Sequence, residues 1–150
     1  MPDQRKLLYG IILVLTGVTV MVGLGGGLFN QANPWPLQWQ HQAFNSLCHQ
    51  MVDRSFWING QPMAVCSRCI GIYGGFAMGW MVLPVLSYYQ VKGIASIQKI
   101  VVLVLLLNIV DASGDFLDLW KNTLTSRLIL GSLLGGSTAM IFSGDFFHQN

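Results

Sequence analysis

Leu7–Leu28 reads LLYGIILVLTGVTVMVGLGGGL, 22 residues without a single charge. A bilayer core about 30 Å thick is crossed by a helix of about 20 apolar residues, and this run supplies them. Arg5-Lys6 immediately before it gives the stretch the look of a secretion signal. It is longer than the ~7–15 apolar residues of a signal core, and no small-x-small cleavage site follows. The run reads as a retained anchor helix.

The rest of the chain agrees. Its 150 residues suggest one domain, 1–150. Hydrophobic residues make up 53% and charged residues only 9%, against roughly 25% charged in soluble domains. All six acids are Asp. Too few charges remain to build a solvated shell, so the lipid bilayer is the expected surrounding. The net charge of +2 is spread thinly, without a basic run to follow a phosphate backbone, and this argues against nucleic acid as a partner.

Three further apolar segments fall at about 68–88, 97–119 and 126–143, so the expected fold is all-α, a membrane bundle of about four transmembrane helices. The third segment is the weakest, because it carries Asp111 and Asp115, and a central Asp costs roughly 2.5–3.5 kcal/mol on insertion scales. Between the first two spans lies a polar, aromatic loop, 30–65. Asn33-Pro34-Trp35-Pro36 opposes helix at its start. Trp35, Trp39, Phe56 and Trp57 suit the headgroup layer. Gln40–Val52 has room for a short interfacial helix, and Asn59-Gly60 has hairpin-turn chemistry.

Gly71, Gly75 and Gly79 recur every four residues, as do Gly131 and Gly135. Small residues at this spacing let helix backbones approach closely in lipid. Packing within one bundle is the first reading, and a homo-oligomer the second. Arg5, Lys6, Lys92 and Lys99 on one side balance Arg54, Arg68, Lys121 and Arg127 on the other. The weight of the first span favours a multi-pass protein of the cell membrane with both termini cytoplasmic.

Threading four spans brings Cys48-His49-Gln50 and Cys66-Ser67-Arg68-Cys69 to one end of the bundle in either orientation. Asp115, Asp118 and Arg127 reach the same end, with Asp111 about two turns deeper than Asp118. Asp111, Asp115 and Asp118 stand at i, i+4, i+7, one helix face.

Three readings compete for the cysteines. Cys48, His49, Cys66 and Cys69 match a tetrahedral three-thiolate, one-imidazole site for zinc or a similar divalent metal. Cys48 and His49 are adjacent, so both ligate only if the backbone bends between them; otherwise His49 orients a ligand or handles protons. Alternatively, Cys66 and Cys69 form a redox pair at a helix N-terminus, where the dipole and Arg68 favour the thiolate, in a thiol–disulfide oxidoreductase of the kind that serves quinones. In the third reading the cysteines are small apolar fillers.

An ionisable residue within a span points to a site and a partner. For Asp111 the expected partner is Arg127, at the start of the next helix. The pair either locks two helices or contacts substrate, proton or metal. Asp118, beside Trp120-Lys121, reads as interfacial, and His41 and His148 as surface residues.

The strings Leu47-Cys48-His49-Gln50 and Cys66-Ser67-Arg68-Cys69-Ile70-Gly71-Ile72-Tyr73-Gly74-Gly75 resemble two signature blocks of the domain-of-unknown-function family 2085 of prokaryotic membrane proteins. That family pairs a C-H-Q block with C-x-R-C-x-G-x-Y-x-G, followed by an Asp–Gly block and an Arg-x-x-x-Gly block. Asp111 and Arg127–Gly131 match the later blocks, and the resemblance runs from about Ser46 to Gly136. It departs at Asp111-Ala112, where Gly appears only in Gly114-Asp115. The resemblance implies membrane location and motif positions, and no activity.

The expectation is a zinc-like site on Cys48, Cys66 and Cys69, with His49 ligating or orienting. Asp111, Arg127 and Asp115 line an adjoining polar pocket. A catalytic metal there acts as Lewis acid or activates water on a lipid-like substrate, an Asp handling protons; a structural one ties the loop to the second span.

Overall fold

The computed structural model describes residues 2–29, 33–88 and 94–142. Five helices carry the fold: α1 (Pro2–Gly23), the short α2 (Trp39–Phe44), α3 (Ser67–Tyr88), α4 (Ile94–Phe116) and α5 (Leu124–Ile141). A two-stranded hairpin, β1 (Trp57–Ile58) with β2 (Gln61–Pro62), lies in the loop before α3. Its turn is Asn59-Gly60, both with positive φ (50° and 78°), as a two-residue hairpin of this twist requires.

The long helices are apolar on the outside. Leu7, Val14, Leu15 and Val18 of α1, and Val102, Leu103, Leu106 and Val110 of α4, are all exposed, while Asn108, Arg127 and Ser137 are buried. A water-soluble bundle has the opposite arrangement. Among the described residues, Gln4–Gly23, Ser67–Val85 and Leu124–Ile141 are long and apolar enough to cross a membrane. α4, with 23 residues, has the length as well, and is set apart by Lys99, Asp111 and Asp115. The result is an all-helical membrane bundle with a Cys/His-bearing loop between its first two long helices.

α1 starts earlier than expected and ends sooner. Instead of continuing to Leu28, the helix stops at Gly23, and Gly25 turns the chain with φ +79°. A Cβ at Gly25 would lie 2.7 Å from the backbone nitrogen of Ala64, and one at Gly26 would collide with the Gln38 amide. The glycine triplet is a seat for the loop. Gln38 donates across it to Gln61 Oε1 at 2.7 Å, and Asn59 Nδ2 donates to the Gly27 carbonyl at 3.0 Å.

The α3–α5 contact is backbone on backbone. A Cβ on Gly71 or Gly75 would collide with the carbonyls of Leu128 and Ser132, and one on Gly131 or Gly135 with those of Arg68 and Ile72. The glycine spacing therefore serves packing within one bundle. α1 and α5 each pack on α3, and α4 packs on α5. On the far side of α3, Pro84 has no N–H for the Trp80 carbonyl four residues back. Tyr9 of α1 donates its hydroxyl to that carbonyl at 3.1 Å, and Trp80 Nε1 donates to the Tyr9 carbonyl at 3.2 Å.

α4 ends at Phe116, three residues before the expected limit. Asp118 takes a left-handed conformation (φ 53°), and the Leu119 N–H reaches back to the Gly114 carbonyl at 2.9 Å, which closes the helix in a Schellman turn. Thr123 caps α5 by accepting the Ser126 N–H at 3.1 Å. The expected interfacial helix over Gln40–Val52 shrinks to α2. Trp39 and Trp57 are exposed, whereas Phe56 packs against the core beneath the loop. Lys92, His148, the end of the fourth span beyond Phe142 and the Trp35 side chain lie outside the described residues.

Candidate metal centre

Cys48 follows α2, its N–H bonded to the Phe44 carbonyl at 2.9 Å, and it is buried. Gln50 then takes a positive φ of 48°, and its backbone N–H donates to Cys48 Sγ at 3.5 Å. Its buried side chain donates to the carbonyls of His41 at 2.6 Å and Ala64 at 2.8 Å. Gln50 thereby clamps α2 to the segment that enters α3. Two residues beyond Ala64, the Cys66 N–H donates to Cys48 Sγ at 3.3 Å.

Cys66 sits just before the first turn of α3, its carbonyl accepting the Ile70 N–H at 3.0 Å. Cys69, three residues on, falls on the same side of the helix start. The sulfurs of Cys48, Cys66 and Cys69 all lie within 4.8 Å of one another, and all three cysteines are free. Tetrahedral bonds of about 2.3 Å to zinc space thiolate sulfurs about 3.8 Å apart, so the trio fits such an ion with little adjustment. Hydrogen bonds from the Cys48 and then the Cys69 side chain hold the Cys66 thiol well below its ordinary value.

His49 does not join the trio. Its side chain is exposed and lines a cavity of about 230 Å³ that the cysteines, Arg54, Arg68, Asp115 and Arg127 also line. The adjacent side chains part in their surroundings, Cys48 buried and His49 exposed.

The charged residues pair differently from the expectation. Arg68 binds Asp111, and Arg127 binds Asp115, its Nη2 2.8 Å from each carboxylate oxygen. The reason is the hairpin between α4 and α5. Asp115 in the last turn of α4 lies level with the first turn of α5, where Arg127 sits, while Asp111 is one turn deeper and faces α3. Asn122, in the connection, donates its side chain to Asp111 Oδ2 at 2.7 Å and its N–H to Asp115 Oδ1 at 3.2 Å. Arg54 approaches Asp115 at 3.6 Å. Asp118 is exposed past the helix end, outside this network.

Arg54, Asn122 and Gln50 are the site residues that sequence reasoning missed. Arg54 had counted only as a topology charge. The Nε–H groups of Arg68 and Arg127 are buried without a partner.

No solved structure matches the chain. It is 30% identical over 109 residues to an uncharacterised protein of Methanocaldococcus jannaschii, covering 73% of this chain and 69% of that one. Residues 48–142, from the first clustered cysteine to the end of α5, match the model of the family described as "Predicted membrane protein (DUF2085)", and the chain belongs to that family.

Proposed function

We propose that the protein holds one zinc-like divalent metal on Cys48, Cys66 and Cys69 at one membrane face, with a fourth position open to the 230 Å³ cavity. The observation that carries this reading is the mutual approach of three sulfurs drawn from two separate segments. Three protein ligands and an open position are the pattern of catalytic rather than structural zinc. Such an ion supplies Lewis acidity or a water of lowered pKa.

This chain's residues divide the remaining work. Asp111 and Asp115 hold Arg68 and Arg127 in place through ion pairs. Arg54, half exposed, faces the cavity as an anion-binding group. His49 is the imidazole available there for proton transfer. The substrate class that fits is lipid-like, with a polar head at the membrane face.

The α1 C-terminus lies beside the loop and α3 start, since a Cβ at Gly23 would lie 3.2 Å from Ile70. If α1 crosses the bilayer from a cytoplasmic N-terminus, the site faces outward. An outward site also suits the second reading, thiol–disulfide exchange by Cys66 and Cys69, which the lowered Cys66 thiol favours.

Metal analysis and thiol titration of anaerobically purified protein separate the two. Stoichiometric metal that disappears in Cys66→Ser supports the first reading. Metal-free protein with a reversible Cys66–Cys69 disulfide overturns it in favour of the second.

A further inference from the structure

A second cavity lies directly below the first. It measures about 330 Å³, and Ile72 stands in the walls of both. α1 and α5 each pack on α3 but make almost no contact with each other, and the chamber occupies the cleft this leaves. Thr16 and Thr19 line one side, Gly135 and Thr138 the other, with Ile72, Tyr73 and Phe76 of α3 between them.

The threonines do not make the cleft polar. Thr16 donates its hydroxyl to the Ile12 carbonyl at 2.9 Å, Thr19 to Leu15 at 2.8 Å and Thr138 to Leu134 at 2.7 Å. Each hydroxyl proton is spent on its own helix. Short side chains and a glycine then leave an apolar space more than twice the roughly 150 Å³ cavity that takes up benzene in a well-studied case. The polar lining of its upper neighbour is three arginines, one aspartate, His49 and the three cysteines. Arg127, only 8% exposed, keeps a buried Nε–H without a partner, as Arg68 does.

We infer that the two cavities form one bipartite site for an anionic lipid, its acidic head among Arg54, Arg68 and Arg127 and its hydrocarbon chain in the cleft between α1 and α5. Donors decide the head: the unpartnered Nε–H groups of Arg68 and Arg127 and the loosely paired Arg54 offer hydrogen bonds to acidic oxygens, whereas a cationic group would meet three guanidiniums. Shape decides the tail, because the cleft continues from the head cavity toward the bilayer interior, past Ile72. The inference deepens the proposed function and rests on its headgroup cavity, not on its metal.

The test uses the full chain in phosphatidylcholine nanodiscs, with a phosphatidic acid carrying a diazirine midway along one acyl chain. Photolabelling is expected on the peptides that carry Thr16–Thr19 and Thr138. Unlabelled phosphatidic acid is expected to compete, and inorganic phosphate and added phosphatidylcholine are not. Arg54→Gln is expected to weaken competition by about tenfold, the loss of one hydrogen bond to a charged group. Thr138→Phe fills the chamber and is expected to abolish the selective labelling; Thr19→Phe does the same from α1 should the first variant fail to fold.

Label spread along the outer faces of α1 and α4, without competition, overturns the inference. Competition by inorganic phosphate alone also overturns it, because the head site then needs no chain. Metal content of the same samples keeps the two proposals apart. Metal present without selective labelling sinks this inference alone, while selective labelling of metal-free protein supports it and sinks the metal reading.

Discussion

Cys48 and Cys66 are joined through a backbone-to-sulfur bond, the Cys66 N–H reaching Cys48 Sγ at 3.3 Å across 18 positions of sequence. A second N–H, from Gln50, meets the same sulfur. The two N–H donors fix the Cys48 sulfur beside the start of α3, where Cys66 and Cys69 lie. Each of Cys48→Ser, Cys66→Ser and Cys69→Ser is therefore expected to lose the metal, whereas His49→Ala keeps it. Elemental analysis of the four purified variants checks this, and full retention in Cys48→Ser would remove Cys48 from the ligand set.

In metal-free protein the same environment controls thiol reactivity. The Cys66 thiol lies below its ordinary value, so its thiolate persists as pH falls past the ordinary cysteine value of about 8.5. Alkylation followed by peptide mass spectrometry is expected to find Cys66 reacting well below that pH. A rate that climbs only above it would contradict the geometry. The sign for stability is the same: a lowered value contributes above the unfolded pKa and is lost as pH falls through the folded one.

The pairing of the arginines is open to a double-mutant cycle. Arg68→Gln with Asp111→Asn is expected to show coupling of roughly 1.5–3 kcal/mol, the range for hydrogen bonds to charged groups. Arg127→Gln with Asp111→Asn, residues that are not paired, is expected to be closer to additive. Thermal unfolding in a single detergent gives both numbers, and the reverse order would restore the pairing read from sequence.

Gln50→Ala removes the clamp between α2 and the entry to α3. It leaves the His41 and Ala64 carbonyls without that donor, at a cost of about 1–3 kcal/mol. Metal affinity is expected to fall along with the melting temperature, since the clamp positions Cys48 relative to Cys66. A variant that melts early yet binds metal as tightly as the parent would show that the trio assembles without it.

Gly75→Ala places a methyl against the Ser132 backbone and is expected to destabilise by roughly 1–3 kcal/mol, as overpacking does. Gly74→Ala, where nothing lies within 4 Å of the added carbon, is expected to be near neutral. Equal effects of the two substitutions on thermal unfolding would rule out the close α3–α5 seam.

The helical spans, the glycine seam and the convergence of the cysteines were legible because each follows from periodicity or from counting crossings. The Asp111 partner was not. Choosing between Arg68 and Arg127 requires knowing where α4 stops, and that depends on Asp118 adopting a left-handed conformation and on Trp120 folding back over Gly114. Arg54 and Asn122 were hidden for a similar reason, as they act from irregular segments whose path no repeat reveals. The sequence left open whether His49 ligates or orients, and its side chain stands exposed at the cavity beside the buried Cys48.

The glycine seam also limits how the site moves. Cys66, Arg68 and Cys69 belong to the start of α3 and Arg127 to the start of α5, and these helices meet backbone to backbone at Gly71, Gly75, Gly131 and Gly135. Two surfaces interlocked in this way slide or part only by losing the whole contact. The half of the site they carry is thus a fixed anvil. Whatever admits a ligand has to be supplied by the loop that bears Cys48 and Arg54, or by α1, which faces α5 across an open cleft.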